Sequence, residues 1–144
     1  MRRKISTITL ITLIVLMLTT MSFAGTWFKL NFSEERIGTG WGANSTSYTT
    51  EAVVTSGNPS INFRVYGGSY GDIIKVEMQK KDYVAGQGWV FKTVSTYSDK
   101  IHSSNSYVSF WDSSVRFSND ECRFIITPDS SSVNVEGYVH YFKN

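Results

Sequence analysis

The sequence predicts an all-β fold, a two-sheet antiparallel β-sandwich (Ig-like or jelly-roll-like) of seven to eight strands. Three observations carry this expectation. Apolar and polar residues alternate without a slip in Ile61-Asn62-Phe63-Arg64-Val65 and in Ile74-Lys75-Val76-Glu77-Met78-Gln79, the period-two mark of a strand with one wet face. Past its first two dozen residues the chain is rich in Ser, Thr, Tyr, Phe, Val and Gly and poor in Ala, Leu, Glu and Lys, a composition that fits a pleated, half-buried surface better than a helix. Clusters of Gly, Pro, Asn and Asp break the pattern at short intervals, and connections that short join antiparallel neighbours rather than crossover units.

The first 24 residues read as an export signal. Arg2, Arg3 and Lys4 make a basic opening, Ile5 to Met21 carry no charge, and Ser22-Phe23-Ala24 closes with small residues at the two positions a signal peptidase inspects. These are the three parts of a cleavable leader. The apolar run is shorter than the roughly 20 residues a spanning helix prefers, and no cysteine stands at the exit to be lipidated. Residues 1–24 are therefore expected to leave as a signal peptide. Residues 25–144 are expected to form one secreted domain with no stable membrane anchor after cleavage.

Within that domain, strands are expected near Trp27–Phe32, Ser47–Thr55, Ile61–Tyr66, Ile73–Lys80, Trp89–Thr96, Tyr107–Trp111, Cys122–Thr127 and Val133–Phe142. The punctuation between them is Gly57-Asn58-Pro59, Gly67-Gly68-Ser69, Gly86-Gln87-Gly88, Ser118-Asn119-Asp120 and Pro128-Asp129-Ser130. Gly supplies positive φ and Pro fixes φ, so each cluster turns the chain by a definite mechanism. The best helical candidate, Ser33-Glu34-Glu35-Arg36, is one turn long. A single cysteine, Cys122, allows no internal disulfide, and alternation sends it inward with Phe124 and Ile126. The cysteine pair that bridges the sheets of immunoglobulin domains is missing.

Charge and chemistry narrow the function. Losing Arg2, Arg3 and Lys4 takes Lys plus Arg from 14 to 11 against 12 Asp plus Glu, a net charge of −1. Cations are not clustered, so no nucleic-acid partner is expected. The two histidines, His102 and His140, give no nucleophile–base constellation, and no Gly-x-Ser-x-Gly elbow occurs. Two distant histidines and a core cysteine do not make a zinc site. Ser118-Asn119-Asp120-Glu121 is the densest oxygen cluster, but turn chemistry already explains it, and no EF-hand spacing surrounds it. Glu77 and Glu136 are the pair of strand carboxylates that a glycosidase reading would need to bring together. The Gly-x-Gly-x-Gly of residues 38–42 lacks the Gly-Lys-Ser/Thr ending of a phosphate loop. No enzyme activity, metal or cofactor is expected.

Aromatic residues are what remains above background: four Trp, eight Tyr and nine Phe. Phe falls mostly on core positions, whereas Tyr66 follows Asn62 and Arg64 on a wet face and Tyr138 follows Asn134 and Glu136. Trp41, Tyr70, Tyr83 and Tyr97 lie in or beside turns. Exposed amphipathic rings are what protein and sugar ligands exploit, although strand Tyr also simply pairs across a sheet. The expectation is a secreted, non-catalytic binding module at or outside the cell surface. Its ligand would be a protein or a glycan, with Trp41, Tyr66, Tyr70, Tyr83 and Tyr138 as candidate binding residues. The alternative is a small membrane-active effector, toxin- or bacteriocin-like, built on the Ser-rich segment from Ser103 to Ser118.

Overall fold

The computed structural model describes residues 25–38, 46–103 and 105–144. The leader expected over residues 1–24, the glycine-rich stretch that carries Trp41, and Ser104 all lie outside the described residues.

The described chain is strand and turn throughout. Its strands are β1 (Thr26–Ile37), β2 (Tyr48–Thr49), β3 (Val53–Thr55), β4 (Ser60–Gly67), β5 (Ile73–Val84), β6 (Gly88–Lys100), β7 (Asn105–Trp111), β8 (Asp120–Pro128) and β9 (Val133–Lys143). They form a four-stranded sheet in the order β1-β9-β4-β7 and a five-stranded sheet in the order β2-β8-β5-β6, with β3 also on β8. Every pairing is antiparallel. The β2 and β3 segments occupy successive stretches of one edge of β8, so they count as one broken strand. That makes two sets of four, with the chain crossing between sheets at every connection but the β5–β6 hairpin. This is the jelly-roll arrangement rather than an immunoglobulin one.

Alternation fills the space between the sheets. Ile61, Phe63 and Val65 of β4, Ile74, Val76 and Met78 of β5, Cys122, Phe124 and Ile126 of β8, and Val133, Val135 and Val139 of β9 are all buried there. Ring contacts link the two layers. Tyr97 of β6 stacks on Phe110 of β7 at 5.6 Å, and Phe32 of β1 meets Tyr48 of β2 at 5.4 Å. Burial pushes the Cys122 thiol up to about 12, as expected for a charge that would form in an apolar interior.

Four differences from the sequence pattern have local causes. Ser33–Arg36 is the end of β1, where the register shifts between Glu34 and Ile37 and Arg36 takes a φ of 56°. There the Arg36 N–H donates to Asn134 Oδ1 at 2.9 Å, so pairing persists by a side chain. The single strand expected over Ser47–Thr55 breaks after Thr49, and the Thr50 hydroxyl accepts the Phe124 N–H at 3.0 Å in place of a backbone carbonyl. Tyr97, expected beside a turn, lies within a longer β6 and packs on the core. The β5–β6 hairpin outruns its neighbour: β8 pairs no further than Lys80 with Cys122, and beyond that Lys81–Val84 pair only with Gly88–Phe91.

Candidate functional site

Strand parity decides what stands on the outer face of the four-stranded sheet. If Phe32, Phe63, Val65, Val108 and Val139 point inward, the residues between them must point outward. Register then aligns those outward residues in rows across the sheet. One row is Asn31, Tyr138, Asn62 and Ser109; the next is Ser33, Glu136, Arg64 and Tyr107; a third is Lys29, His140, Ser60 and Trp111. Strands stand about 4.8 Å apart, so each row spans roughly three such intervals from β1 to β7.

The first two rows enclose a groove of about 870 Å³ lined by Asn31, Ser33, Asn62, Arg64, Tyr107, Glu136 and Tyr138, with Phe32, Phe63 and Gly137 beneath. Gly137 is a requirement of this geometry. A Cβ there would stand 2.2 Å from the Asn62 carbonyl oxygen and 2.4 Å from Phe63 Cβ. Its register partners Phe32 and Phe63 fill the vacant inward position from either side, their rings 6.3 Å apart.

The polar groups are held in specific ways. Arg64 and Glu136 are cross-strand neighbours that do not pair directly. Instead the Tyr66 hydroxyl accepts from Arg64 Nη1 at 3.0 Å and donates to Glu136 Oε2 at 2.8 Å. The guanidinium also lies over the Tyr66 and Tyr107 rings, 5.5 and 4.9 Å from their centroids. The hydrogen bond to Tyr66 is the chief reason its pKa stands above the ordinary arginine value. Arg64 Nε is buried without a hydrogen-bond partner, so part of this donor set is unspent. Ser109 donates to Asn62 Oδ1 at 2.7 Å. On the other flank, Lys29 Nζ sits 4.4 Å over the Tyr138 ring. Tyr138 meets His140 edge-on at 6.5 Å, and His140 stacks on Trp27 at 4.5 Å.

Of the expected binding residues, the structure brings two to this face. Tyr138 lines the groove, and Tyr66 braces Arg64 and Glu136 from beside it. Tyr70, 81 % exposed, sits in the turn between β4 and β5, outside the groove lining. Tyr83 is at the far end of the β5–β6 hairpin, edge-on to Trp89 at 5.7 Å, on the other sheet. Trp41 lies outside the described residues. Asn31, Asn62, Arg64 and Tyr107 are the contributors that sequence reading missed as site residues. Parity along β4 already places Asn62 and Arg64 beside Tyr66, but only the pairing of β4 with β7 adds Tyr107.

The other chemical candidates disperse. Glu77 and Glu136 stand on the outer faces of opposite sheets, and Glu77 is engaged by Lys75 at 2.5 Å and Thr93 at 3.0 Å. In the oxygen cluster, Asp120 pairs with Lys80 at 2.7 Å and Glu121 with Lys81 at 2.7 Å. Among the described residues no group of three or more His, Cys, Asp and Glu is placed to hold a metal ion. Within Ser103–Ser118, β7 buries Val108 and Phe110 in the core.

No family model matches the chain, and no curated protein matches it. Among solved structures it is similar to that of TmCBM61 in complex with beta-1,4-galactotriose, at 10 % identity over 86 % of this chain and 84 % of that one, with a TM-score of 0.36. A likeness of that strength brings no ligand with it.

Proposed function

We propose that the chain is exported, sheds residues 1–24, and acts outside the cell as a non-catalytic β-sandwich that binds a glycan chain in the groove of the four-stranded sheet. One observation carries the reading: two tyrosine rings, two amides, a guanidinium and a carboxylate line one open trough. A sugar unit offers an apolar C–H face and a rim of hydroxyls. The Tyr138 and Tyr107 rings suit the face, as flat amphipathic surfaces do. Asn31, Asn62, Arg64 and Glu136 suit the rim, since each presents paired donors or acceptors to adjacent hydroxyls. The trough lies open across a sheet face, unlike the enclosing pockets that bury most of a small ligand. A chain molecule running through it fits that form. Among the described residues Glu136 is the one carboxylate lining it, where glycoside hydrolysis takes two, which favours holding over cleaving.

The test is affinity electrophoresis of the exported protein through neutral and acidic polysaccharides. Retardation by at least one of them is expected, abolished by Tyr138→Ala and weakened by Asn62→Ala, with Trp89→Ala unchanged. Free migration through all of them would overturn the glycan reading. Retardation lost with Trp89→Ala but kept with Tyr138→Ala would move the site to the other sheet.

A further inference from the structure

A second cleft lies further along β9. It has a volume of about 410 Å³ and is lined by Trp27, Ser56, Gly57, Asn58, Arg116, Phe117 and Phe142. The two are joined by a run of rings along β9 and the start of β1. Tyr138 meets His140, His140 stacks on Trp27 at 4.5 Å, and Trp27 packs against Phe142 at 5.2 Å. Successive outward residues of a strand stand roughly 6.7 Å apart, so Tyr138, His140 and Phe142 mark a ring-paved track leading from groove to cleft.

The cleft differs from the groove in charge. Among the described residues Arg116 is its one charged lining residue. The Arg116 carbonyl accepts from Lys80 Nζ at 3.0 Å, and this ties down the backbone at that position. Its guanidinium enters none of the ion pairs or hydrogen bonds among the described residues, whereas Lys75, Lys80, Lys81 and Lys92 are each engaged by a carboxylate. The chain therefore holds an unneutralised planar cation beside an exposed indole, with the Asn58 amide and the Ser56 hydroxyl nearby.

We propose that this cleft is a subsite for an acidic sugar unit, a uronic acid, whose carboxylate is taken by Arg116 while its ring face lies against Trp27. The proposal rests on the glycan reading and deepens it. A guanidinium meets a carboxylate through two parallel N–H···O bonds, a geometry that a neutral hydroxymethyl group cannot supply. The indole offers the apolar face that the rest of the sugar needs. Arg116 is then the residue that separates acidic from neutral chains, and Tyr138 binds both alike.

The test pairs each carboxylated oligosaccharide with its own methyl ester, which keeps the chain and removes the charge. Oligogalacturonate, oligomannuronate and hyaluronan oligosaccharides serve as probes, titrated by calorimetry into protein exported from cells expressing the full chain. The wild type is expected to bind at least one acid tenfold or more tightly than its ester, with the preference shrinking as salt rises. Arg116→Gln is expected to reduce the acid to the affinity of the ester, leaving neutral oligosaccharides unchanged, and Arg116→Lys to restore only part of the preference. Equal binding of acid and ester, or a preference that survives Arg116→Gln, overturns the subsite while the glycan reading stands. Failure to bind neutral, acidic and esterified chains alike overturns both.

Discussion

The two outer faces of this sandwich use similar residues to opposite ends. On the five-stranded sheet, charges answer one another: Lys75 with Glu77, Lys81 with Glu121, Lys92 with Asp82, all between 2.5 and 2.8 Å. Arg123 donates to Gln79 at 2.8 Å and covers the Phe91 ring at 4.0 Å. These charges are matched in pairs, although exposed ion pairs of this kind add little stability. On the four-stranded sheet, Arg64 and Glu136 are joined only through a tyrosine, Arg64 Nε has no partner, and a trough lies between the strands. Exposed aromatic residues occur on both faces; the trough and the Arg64–Tyr66–Glu136 bridge beside the rings set the four-stranded face apart.

The largest expected effect would break that comparison outright. Gly137→Ala forces a Cβ into the Asn62 carbonyl and Phe63 and should cost about 3 kcal/mol or more, the upper range for overpacking. Urea denaturation would show a lower midpoint at unchanged slope. Next, Tyr138→Ala should weaken glycan binding at least tenfold, about 1.4 kcal/mol, while Trp89→Ala on the opposite sheet leaves it unaltered in the same titration.

A finer cut separates the ring of Tyr66 from its hydroxyl. Tyr66→Phe keeps the ring over which Arg64 lies and removes the bridge to Glu136. Losing roughly 1 kcal/mol of hydrogen bonding should weaken binding about fivefold with little change in melting temperature. Thr93→Val removes the hydroxyl that bonds Gln79 and Glu77 on the other sheet. It should lower melting temperature slightly and leave binding alone.

The smallest effect concerns acid stability at a loop that belongs to neither face. Hydrogen bonds from Ser130 and Ser131, and then from the Ser69 N–H, hold the Asp72 carboxyl below its ordinary value. A depressed carboxylate contributes stability that is fully present above its unfolded pKa, about 4, and is lost as pH falls through the folded value. Asp72→Asn should therefore melt modestly earlier at pH 7, and the gap to wild type should close below about pH 4, as followed by circular dichroism.

What the sequence made legible, and what it hid, follows from the reach of period-two reasoning. Alternation along β4 and β8 correctly sends Phe63, Cys122 and Phe124 inward, and it places Tyr66 and Tyr138 on wet faces from neighbours alone. It fails where a ladder slips. The irregularity between Met78 and Gln79, which leaves Val94 as the extra residue of β6, reverses the parity along β6 while β5 keeps its register with β8, so the spacing that sends Tyr97 inward says nothing of which way Phe91 faces. Nor does any local signal reveal that β9 lies between β1 and β4. That pairing joins segments far apart in the chain, Asn31 and Asn62 both to Tyr138, and it turns Asn31, Asn62 and Arg64 from ordinary wet-face residues into one wall of a groove. Tyr70 and Tyr138 look alike as exposed rings in composition; only sheet order separates them.

The overhanging ribbon of β5 and β6 has a practical corollary. Past Lys80 the backbones of its strands pair only with each other, and Ala85-Gly86-Gln87 turns at its tip with Gly86 at a φ of 83°. Extra chain spliced in at that turn would meet no core residue and would stand apart from the groove of the four-stranded sheet. A tag or fluorophore carried there would report on the intact molecule without touching the surface it is meant to watch.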